Sequence, residues 1–138
     1  MFFMHPMADE VKKSATALLA QGNAAQRKKD WAGAVKLFKE ATVKDPSMAG
    51  AWFGLAYCLD EGDEKEANRE DFIRCYQKVI EINSEHAEAH INLAIMLKAK
   101  GDLVGAEIAY RRAIKINPEH AGAHYVLAVV LEENHEQP

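Results

Sequence analysis

The sequence repeats itself with a period of 34 residues, and this repeat limits the possible folds more than any other feature of the chain. Successive copies are separated by steps of 34, 38 and 34 residues, so the second copy carries extra residues. One series of matching positions holds large side chains: Leu18, Trp52, His90 and His124. Another holds small residues: Gly22, Ala56, Ala94 and Ala128. A chain built in this way stacks similar units instead of folding around one central core.

Each period contains two amphipathic stretches in which apolar residues recur with helical spacing. Helix-breaking pairs separate the stretches. In the third copy, Gly101-Asp102 lies between them and Asn117-Pro118 follows the second. The pattern therefore predicts an all-helical chain. The seven predicted helices cover approximately residues 10–28, 31–44, 49–62, 67–82, 87–100, 103–116 and 121–133.

The same positions carry a resemblance to a known family. The segment Trp52-Phe53-Gly54-Leu55-Ala56-Tyr57-Cys58-Leu59 has an aromatic residue, a leucine, a small residue and a second large residue in fixed order. The segment Gly101–Tyr110 contains alanine and an aromatic residue four positions apart. With the period of 34, these segments resemble the tetratricopeptide-repeat (TPR) motif over about residues 15–133.

This resemblance implies a fold class and a domain organisation. The expected fold is all-α: a right-handed α-solenoid of antiparallel helix pairs with about seven helices. A TPR domain of residues 9–138 would follow a mobile N-terminal segment, residues 1–8. The repeats are expected at about residues 15–48, 49–86 and 87–120, with a terminal helix at 121–133.

Charge and hydropathy exclude several classes of partner. The chain has 21 acidic and 17 basic residues and a formal net charge of −4, whereas nucleic acids and anionic membranes select basic surfaces. No apolar run approaches the length of about 20 residues that spans a membrane. The apolar start, residues 1–7, is too short for a signal-peptide core, so we expect a cytoplasmic protein. Cys58 and Cys75 are expected to be reduced thiols packed in helices.

The histidines are the strongest candidates for site chemistry, because His86 and His90 are four residues apart, as are His120 and His124. That spacing holds a metal only on a continuous helix, and the first member of each pair precedes its predicted helix. No third ligand is apparent, and no glycine-rich phosphate loop or Gly-x-Ser-x-Gly nucleophile motif occurs. The sequence therefore predicts no enzyme, no catalytic residues, no cofactor and no metal.

The resemblance also implies a binding surface, since TPR solenoids are similar in using a concave face that the first helix of each pair lines. The expected groove residues are Leu19, Asn23, Phe53, Tyr57, Ile91, Asn92, Ile95, Tyr125 and Val129. Most of them are apolar, and an apolar helix face is commonly core. Other positions already supply the core residues, so this stripe is expected to bind a partner peptide or helix with apolar side chains. The alternative is a constitutive structural subunit of a larger assembly.

One TPR class consists of cochaperones that hold the acidic C-terminus of heat-shock chaperones, and this sequence differs from that class at most of the binding positions. Its two-carboxylate clamp uses lysines, an arginine and two asparagines, and only Asn23 matches. Leu19 stands at the first lysine and Gly54 at the second asparagine. Glu88 and Asn92 stand at the last lysine and the arginine. Without the cations the clamp loses its charge-assisted hydrogen bonds, so the sequence predicts that this function is absent.

The extra residues of the second copy lie in an acidic stretch, residues 60–71. We expect a solvated loop between two helices, because insertions in repeat proteins map to surface loops. The functional alternative is an acidic handle for a basic partner.

The final helix is almost free of charge before Glu132, and a terminal helix normally has a polar outer face. We expect Leu127, Ala128 and Leu131 to pack on the third repeat, which leaves Val126 and Val130 uncovered. Weak self-association through this helix, docking of the N-terminal segment of another chain, or a partner protein would cover them. The alternative is that two exposed valines are tolerated.

Overall fold

The computed structural model describes residues 7–62 and 69–136, and every regular element in these ranges is an α-helix. The chain forms two compact units, residues 1–75 and 76–138, whose boundary lies within the fourth helix. The helices are α1 Met7–Arg27, α2 Trp31–Lys44, α3 Ala49–Glu61, α4 Arg69–Ile82, α5 Ala87–Lys100, α6 Leu103–Ile116 and α7 Ala121–Glu136. The predicted all-α fold and its helix order are confirmed.

The ends of the helices differ slightly from the prediction. Helix α1 begins at Met7, so the last two residues of the segment 1–8 that was predicted to be mobile are helical, and residues 1–6 lie outside the described part. Helix α7 continues to Glu136. Helix α3 ends at Glu61, and half of the acidic stretch 60–71, residues 63–68, lies outside the described ranges.

The turn between α1 and α2 and the turn between α5 and α6 have the same hydrogen bonds, 72 residues apart. The Lys29 amide donates to the Gln26 carbonyl at 2.9 Å, and the Gly101 amide donates to the Lys98 carbonyl at 3.0 Å. Both turns need a left-handed residue, since φ is 61° at Lys29 and 95° at Gly101. Glycine adopts this conformation without strain, whereas lysine adopts it with steric strain.

Each of these turns ends in an aspartate that caps the next helix. The Asp30 carboxylate accepts a hydrogen bond from the Gly33 amide at 3.0 Å, and Asp102 accepts one from Gly105 at 2.9 Å. These bonds satisfy amides that have no partner within the helix. Such caps explain why the sequence predicted the starts of α2 and α6 correctly.

A further repeated bond explains the series of large residues at the packed face of the first helices. In three copies a ring N–H donates to the carbonyl six residues earlier, which ties the helix to the turn before it. The pairs are Trp52 with Pro46 at 2.8 Å, His90 with Ser84 at 3.0 Å and His124 with Pro118 at 2.9 Å. Histidine therefore replaces tryptophan in this series as a donor of the same hydrogen bond.

In the first unit, helices α1 and α3 approach the fully buried ring of Phe38 on α2 through glycines. A Cβ atom at Gly22 would lie 2.7 Å from Phe38 Cε1, and one at Gly54 would lie 2.6 Å from Phe38 Cζ. Both distances are shorter than carbon atoms tolerate. Only glycine at these two positions leaves room for the ring.

In the second unit the matching ring is Tyr110 on α6, which lies in a core with Ala94, Ala113 and Val130. Its hydroxyl is buried and has no hydrogen-bond partner among the described residues. Burial raises the pKa of Tyr110 to about 12, because the phenolate would be desolvated.

Helix α7 is rotated from the orientation that the sequence predicted. Val130 is fully buried in the core of the second unit and Val126 packs against it, whereas Ala128 is exposed. The expectation that Val126 and Val130 are uncovered is therefore wrong, and the self-association inferred from them loses its basis. Within the described ranges, no helix is long and apolar enough to cross a membrane.

Candidate functional site

The predicted groove residues fall into three classes of exposure. Asn23, Tyr57, Ile95 and Tyr125 are exposed. Leu19, Phe53, Asn92 and Val129 are half-buried. Ile91 is only 8% exposed and belongs to the core of the second unit. The expectation that Ile91 faces the groove is thus corrected, because its side chain packs with Ala94 and Tyr110 instead of facing solvent.

A pocket of about 260 Å³ lies in the first unit, where the end of α1, the α1–α2 turn and the middle of α3 meet. We call it the Trp31 pocket. Its lining residues are Asn23, Gln26, Arg27, Lys29, Trp31 and Tyr57. Two of them, Asn23 and Tyr57, are predicted groove residues, so the pocket lies on the first-helix face that the sequence indicated.

The walls of the Trp31 pocket combine two rings with two cations. The centroids of Trp31 and Tyr57 are 6.1 Å apart, and the ring planes meet at 62°, an edge-to-face arrangement that fixes both rings. Arg27 and Lys29 are exposed, and neither has an ion-pair partner among residues 7–62 and 69–136. The side chains of Asn23 and Gln26 add amide groups. The pocket can therefore offer donors and positive charge beside an apolar wall.

In the second unit the first helices expose apolar groups instead. Tyr125 on α7 is 72% exposed and Ile95 on α5 is 43% exposed. Lys98 is paired, since its Nζ lies 3.4 Å from the Glu133 carboxylate, and His120 Nε2 lies 3.5 Å from Glu88. A partner with apolar side chains can bury these exposed groups without displacing a charge.

A second depression, of about 330 Å³, opens in the second unit among the ends of α4, α5 and α6. Its apolar walls include Leu93, Leu97 and Ile108, and Glu81 and Arg112 also line it. Leu93 and Leu97 are both half-buried. No feature of the depression indicates what covers it.

Four histidines of the described residues have structural roles. Nδ1 of His86 accepts a hydrogen bond from the Ala89 amide at 3.1 Å, and Nδ1 of His120 accepts one from Ala123 at 3.0 Å, so both cap their helices. His90 and His124 are held by the ring bonds described above. Among the described residues, no group of three or more His, Cys, Asp or Glu could hold a metal.

The two cysteines are free and buried in α3 and α4. Burial raises the pKa of Cys58 to about 11, with a smaller contribution from Glu61. It raises the pKa of Cys75 to about 12, with Asp71 contributing in the same direction. Both thiols are therefore protonated at neutral pH and are poor nucleophiles.

Four residues of the Trp31 pocket were not predicted from the sequence: Gln26, Arg27, Lys29 and Trp31. A signal for two of them existed, because Gln26 and Arg27 lie three and four residues after Asn23 and share its helix face. Lys29 lies in a turn and Trp31 at a helix start, where helical spacing does not predict the direction in which a side chain projects.

Two family models, both described as the tetratricopeptide repeat, match residues 19–74 and 87–120. No curated protein matches the sequence.

Three solved structures are similar to the chain over most of its length. The Arabidopsis OM64 TPR domain has a TM-score of 0.76 and 18% identity, covering 86% of this chain and 94% of that one. The first TPR domain of Spaghetti (RPAP3), bound to the HSP90 peptide SRMEEVD, has a TM-score of 0.79 and 14% identity, covering 90% and 95%. MamA has a TM-score of 0.80 and 23% identity, covering 93% and 75%. At these identities the likeness shows the fold, an α-solenoid of helix pairs.

Proposed function

The chain belongs to the tetratricopeptide-repeat family, whose domains are protein–protein interaction modules, and we propose that it is a non-catalytic module for a partner segment with apolar side chains. The segment is a helix or an extended peptide. The observation that carries the proposal is the exposure of large apolar groups on successive first helices: Tyr57, Ile95 and Tyr125 are 37%, 43% and 72% exposed. Each stands at a position where repeat phase predicts the binding face.

The experiment compares two double variants that place the same charges on different helices. Ile95→Asp with Tyr125→Asp changes the first helices, whereas Val43→Asp with Val104→Asp changes residues of the second helices α2 and α6 that are 80% and 65% exposed. All four sites are at the surface, so both variants should fold. Partners captured by the unmodified chain from a lysate of its source cells are quantified by mass spectrometry for each variant.

We expect the first-helix variant to capture at least about ten-fold less partner protein than the unmodified chain, since a desolvated interface core tolerates charge poorly. The second-helix variant should retain them. Apolar contacts are not screened, so the ratio of capture between the two variants should change little when the salt is raised to about 0.5 M. Equal loss in the two variants, or undiminished capture by the first-helix variant, would contradict the proposal.

We also propose that the chain does not hold chaperone C-termini as the RPAP3 domain holds its HSP90 peptide. One reason is Glu88, an acid where the clamp needs a cation. Another is Gly54, since any side chain there meets the Phe38 ring. Calorimetry with SRMEEVD should give no dissociation constant near or below 1 μM, which corresponds to about −8 kcal/mol. Micromolar binding that disappears when the peptide's C-terminus is amidated would restore the clamp.

The alternative is a constitutive structural subunit, whose groove and ends would be buried in a larger assembly. At the C-terminal helix Val130 is already buried and Val126 packs on the core of its own unit. A binding module should be soluble and folded alone. Sedimentation of the purified chain as a folded monomer would fit the module, and aggregation without a partner would favour the subunit.

A further inference from the structure

We propose that the Trp31 pocket takes the carboxylate of an acidic side chain within the partner segment, next to an apolar residue that packs on Trp31 and Tyr57. The inference rests on the proposed function, because it adds an anchoring site to that binding face. It differs from the chaperone clamp in using a carboxylate inside the segment instead of a chain terminus.

The first argument is charge. In a chain with more acids than bases, Arg27 and Lys29 line one small pocket and have no ion-pair partner among the described residues. The guanidinium of arginine presents a planar pair of donors that matches a carboxylate. Asn23 and Gln26 can donate from their amide groups to the same oxygens. A ligand carboxylate is the group that complements all four.

The second argument is the backbone of Lys29. At the equivalent turn in the second unit, Gly101 takes the left-handed conformation at no steric cost, but in the first unit a lysine does so with φ at 61°. A strained residue indicates function when the strained position also contributes to a site. Lys29 meets that condition, since it lines the pocket beside Arg27.

The third argument is size and polarity. The volume of about 260 Å³ lies just below the range of about 300–1,000 Å³ typical of drug-sized ligands, so the pocket suits one or two side chains. The edge-to-face pair of Trp31 and Tyr57 supplies a rigid apolar wall beside the cations. The matching ligand is therefore an acidic residue that has an apolar or aromatic neighbour.

The experiment titrates the isotope-labelled chain with two capped peptides, acetyl-Ala-Leu-Glu-Phe-Ala-amide and the same peptide with glutamine in place of glutamate. Capping removes both terminal charges, so only the side-chain carboxylate differs. The readouts are the indole N–H resonance of Trp31 and the backbone amide of Lys29, with the indole of Trp52 as an internal reference. We expect the glutamate peptide to bind about five-fold or more tightly and to weaken in about 0.5 M salt.

Two variants and two matched controls test the cations. Arg27→Gln removes the guanidinium group, and Lys29→Gly gives this turn the glycine that Gly101 provides in the second unit. Each variant should weaken glutamate-peptide binding about five-fold or more. Lys29→Gly should at the same time raise the midpoint of thermal unfolding, which separates lost binding from lost folding. The controls Lys28→Gln and Lys36→Gln remove exposed lysines that do not line the pocket, and they should bind as the unmodified chain does.

Equal binding of the two peptides, or the same loss in the Lys28→Gln control as in Arg27→Gln, would overturn the inference. So would the absence of any shift at Trp31 up to the solubility limit of the glutamate peptide. Ile95→Asp with Tyr125→Asp should not change peptide binding at the pocket. The peptide experiment can thus contradict the pocket inference while partner capture still depends on Ile95 and Tyr125. Conversely, the peptide can bind the pocket while partner capture does not depend on those two residues.

Discussion

Helices α1–α3 and α5–α7 repeat the same pattern 72 residues apart, yet six equivalent surface positions carry different chemistry. In the first unit these positions form the Trp31 pocket: Asn23, Gln26, Arg27, Lys29, Trp31 and Tyr57. In the second unit they hold Ile95, Lys98, Ala99, Gly101, Leu103 and Val129. The turns, caps and buried rings match between the two units, so the repeat constrains those features and leaves these surface positions free to differ.

The two units also differ in whether their cations have ion-pair partners. Lys98 lies 3.4 Å from Glu133, so its charge is compensated within the unit. Arg27 and Lys29 have no such partner among the described residues. The second unit therefore offers an apolar surface beside a paired Lys98, and the first offers Arg27 and Lys29, which are unpaired among the described residues, beside two aromatic rings.

The largest expected effect separates core from surface on α5. Ile91 and Ile95 are one helical turn apart, but Ile91 is 8% exposed and Ile95 is 43% exposed. Ile91→Lys should lower the free energy of unfolding by about 3 kcal/mol or more, because it places a charge in an apolar core. Ile95→Lys should change it by about 0.5 kcal/mol or less. Urea unfolding followed by circular dichroism measures both, and equal values would mean that Ile91 faces solvent.

The next effect tests the close packing of glycine against the buried ring of Phe38 in the first unit. Gly54→Ala should destabilise the chain by about 1–3 kcal/mol, because the added methyl meets the Phe38 ring. Gly50→Ala is the matched control on the same helix, since a Cβ there would lie 3.8 Å from the nearest atom, Leu19 Cδ1. It should be neutral or stabilising by about 0.5 kcal/mol, as alanine favours a helix more than glycine does. If both variants unfold at the same urea concentration, the close approach of the glycine to Phe38 is not required.

The helices and their ends could be predicted from the sequence because local signals recur with the period. The aspartate caps at Asp30 and Asp102 and the Asn117-Pro118 stop are examples. The orientation of α7 could not be predicted, since the apolar residues before Glu132 are spread around the whole helix and leave no face distinct. The Trp31 pocket needs Tyr57 of α3 beside the start of α2, a juxtaposition that helical spacing within one element does not contain.

A reciprocal exchange at the two turns sharpens the comparison between the units. Lys29→Gly should raise the free energy of unfolding by about 1 kcal/mol, because it relieves a left-handed lysine, with part of the gain lost to the greater chain entropy of glycine. Gly101→Lys should lower it by a similar amount. Thermal unfolding measures both, and the expected shifts are about 3–5 °C in opposite directions. Shifts of the same sign would show that the two turns are not equivalent.

The smallest expected effect concerns the ring of the second unit. Tyr110→Phe removes a buried hydroxyl that has no hydrogen-bond partner among the described residues, and it reproduces the Phe38 of the first unit. Since burying an unpaired hydroxyl is unfavourable, the variant should be more stable than the unmodified chain by about 0.5–1 kcal/mol at neutral pH.

The same variant has a second signature in alkali. The folded-state pKa of Tyr110 is about 12, above its ordinary value of 10.0, because burial penalises the phenolate. A raised pKa stabilises the fold below pH 10, and that contribution disappears as the pH rises through 12. Tyr110→Phe cannot titrate, so its stability should fall less steeply than that of the unmodified chain over this window. The decline that begins near pH 9 should persist, since Cys58 and Cys75 also have raised pKa values and remain. Parallel curves from urea unfolding between pH 9 and pH 12 would mean that the hydroxyl of Tyr110 ionises as freely in the folded chain as in the unfolded one.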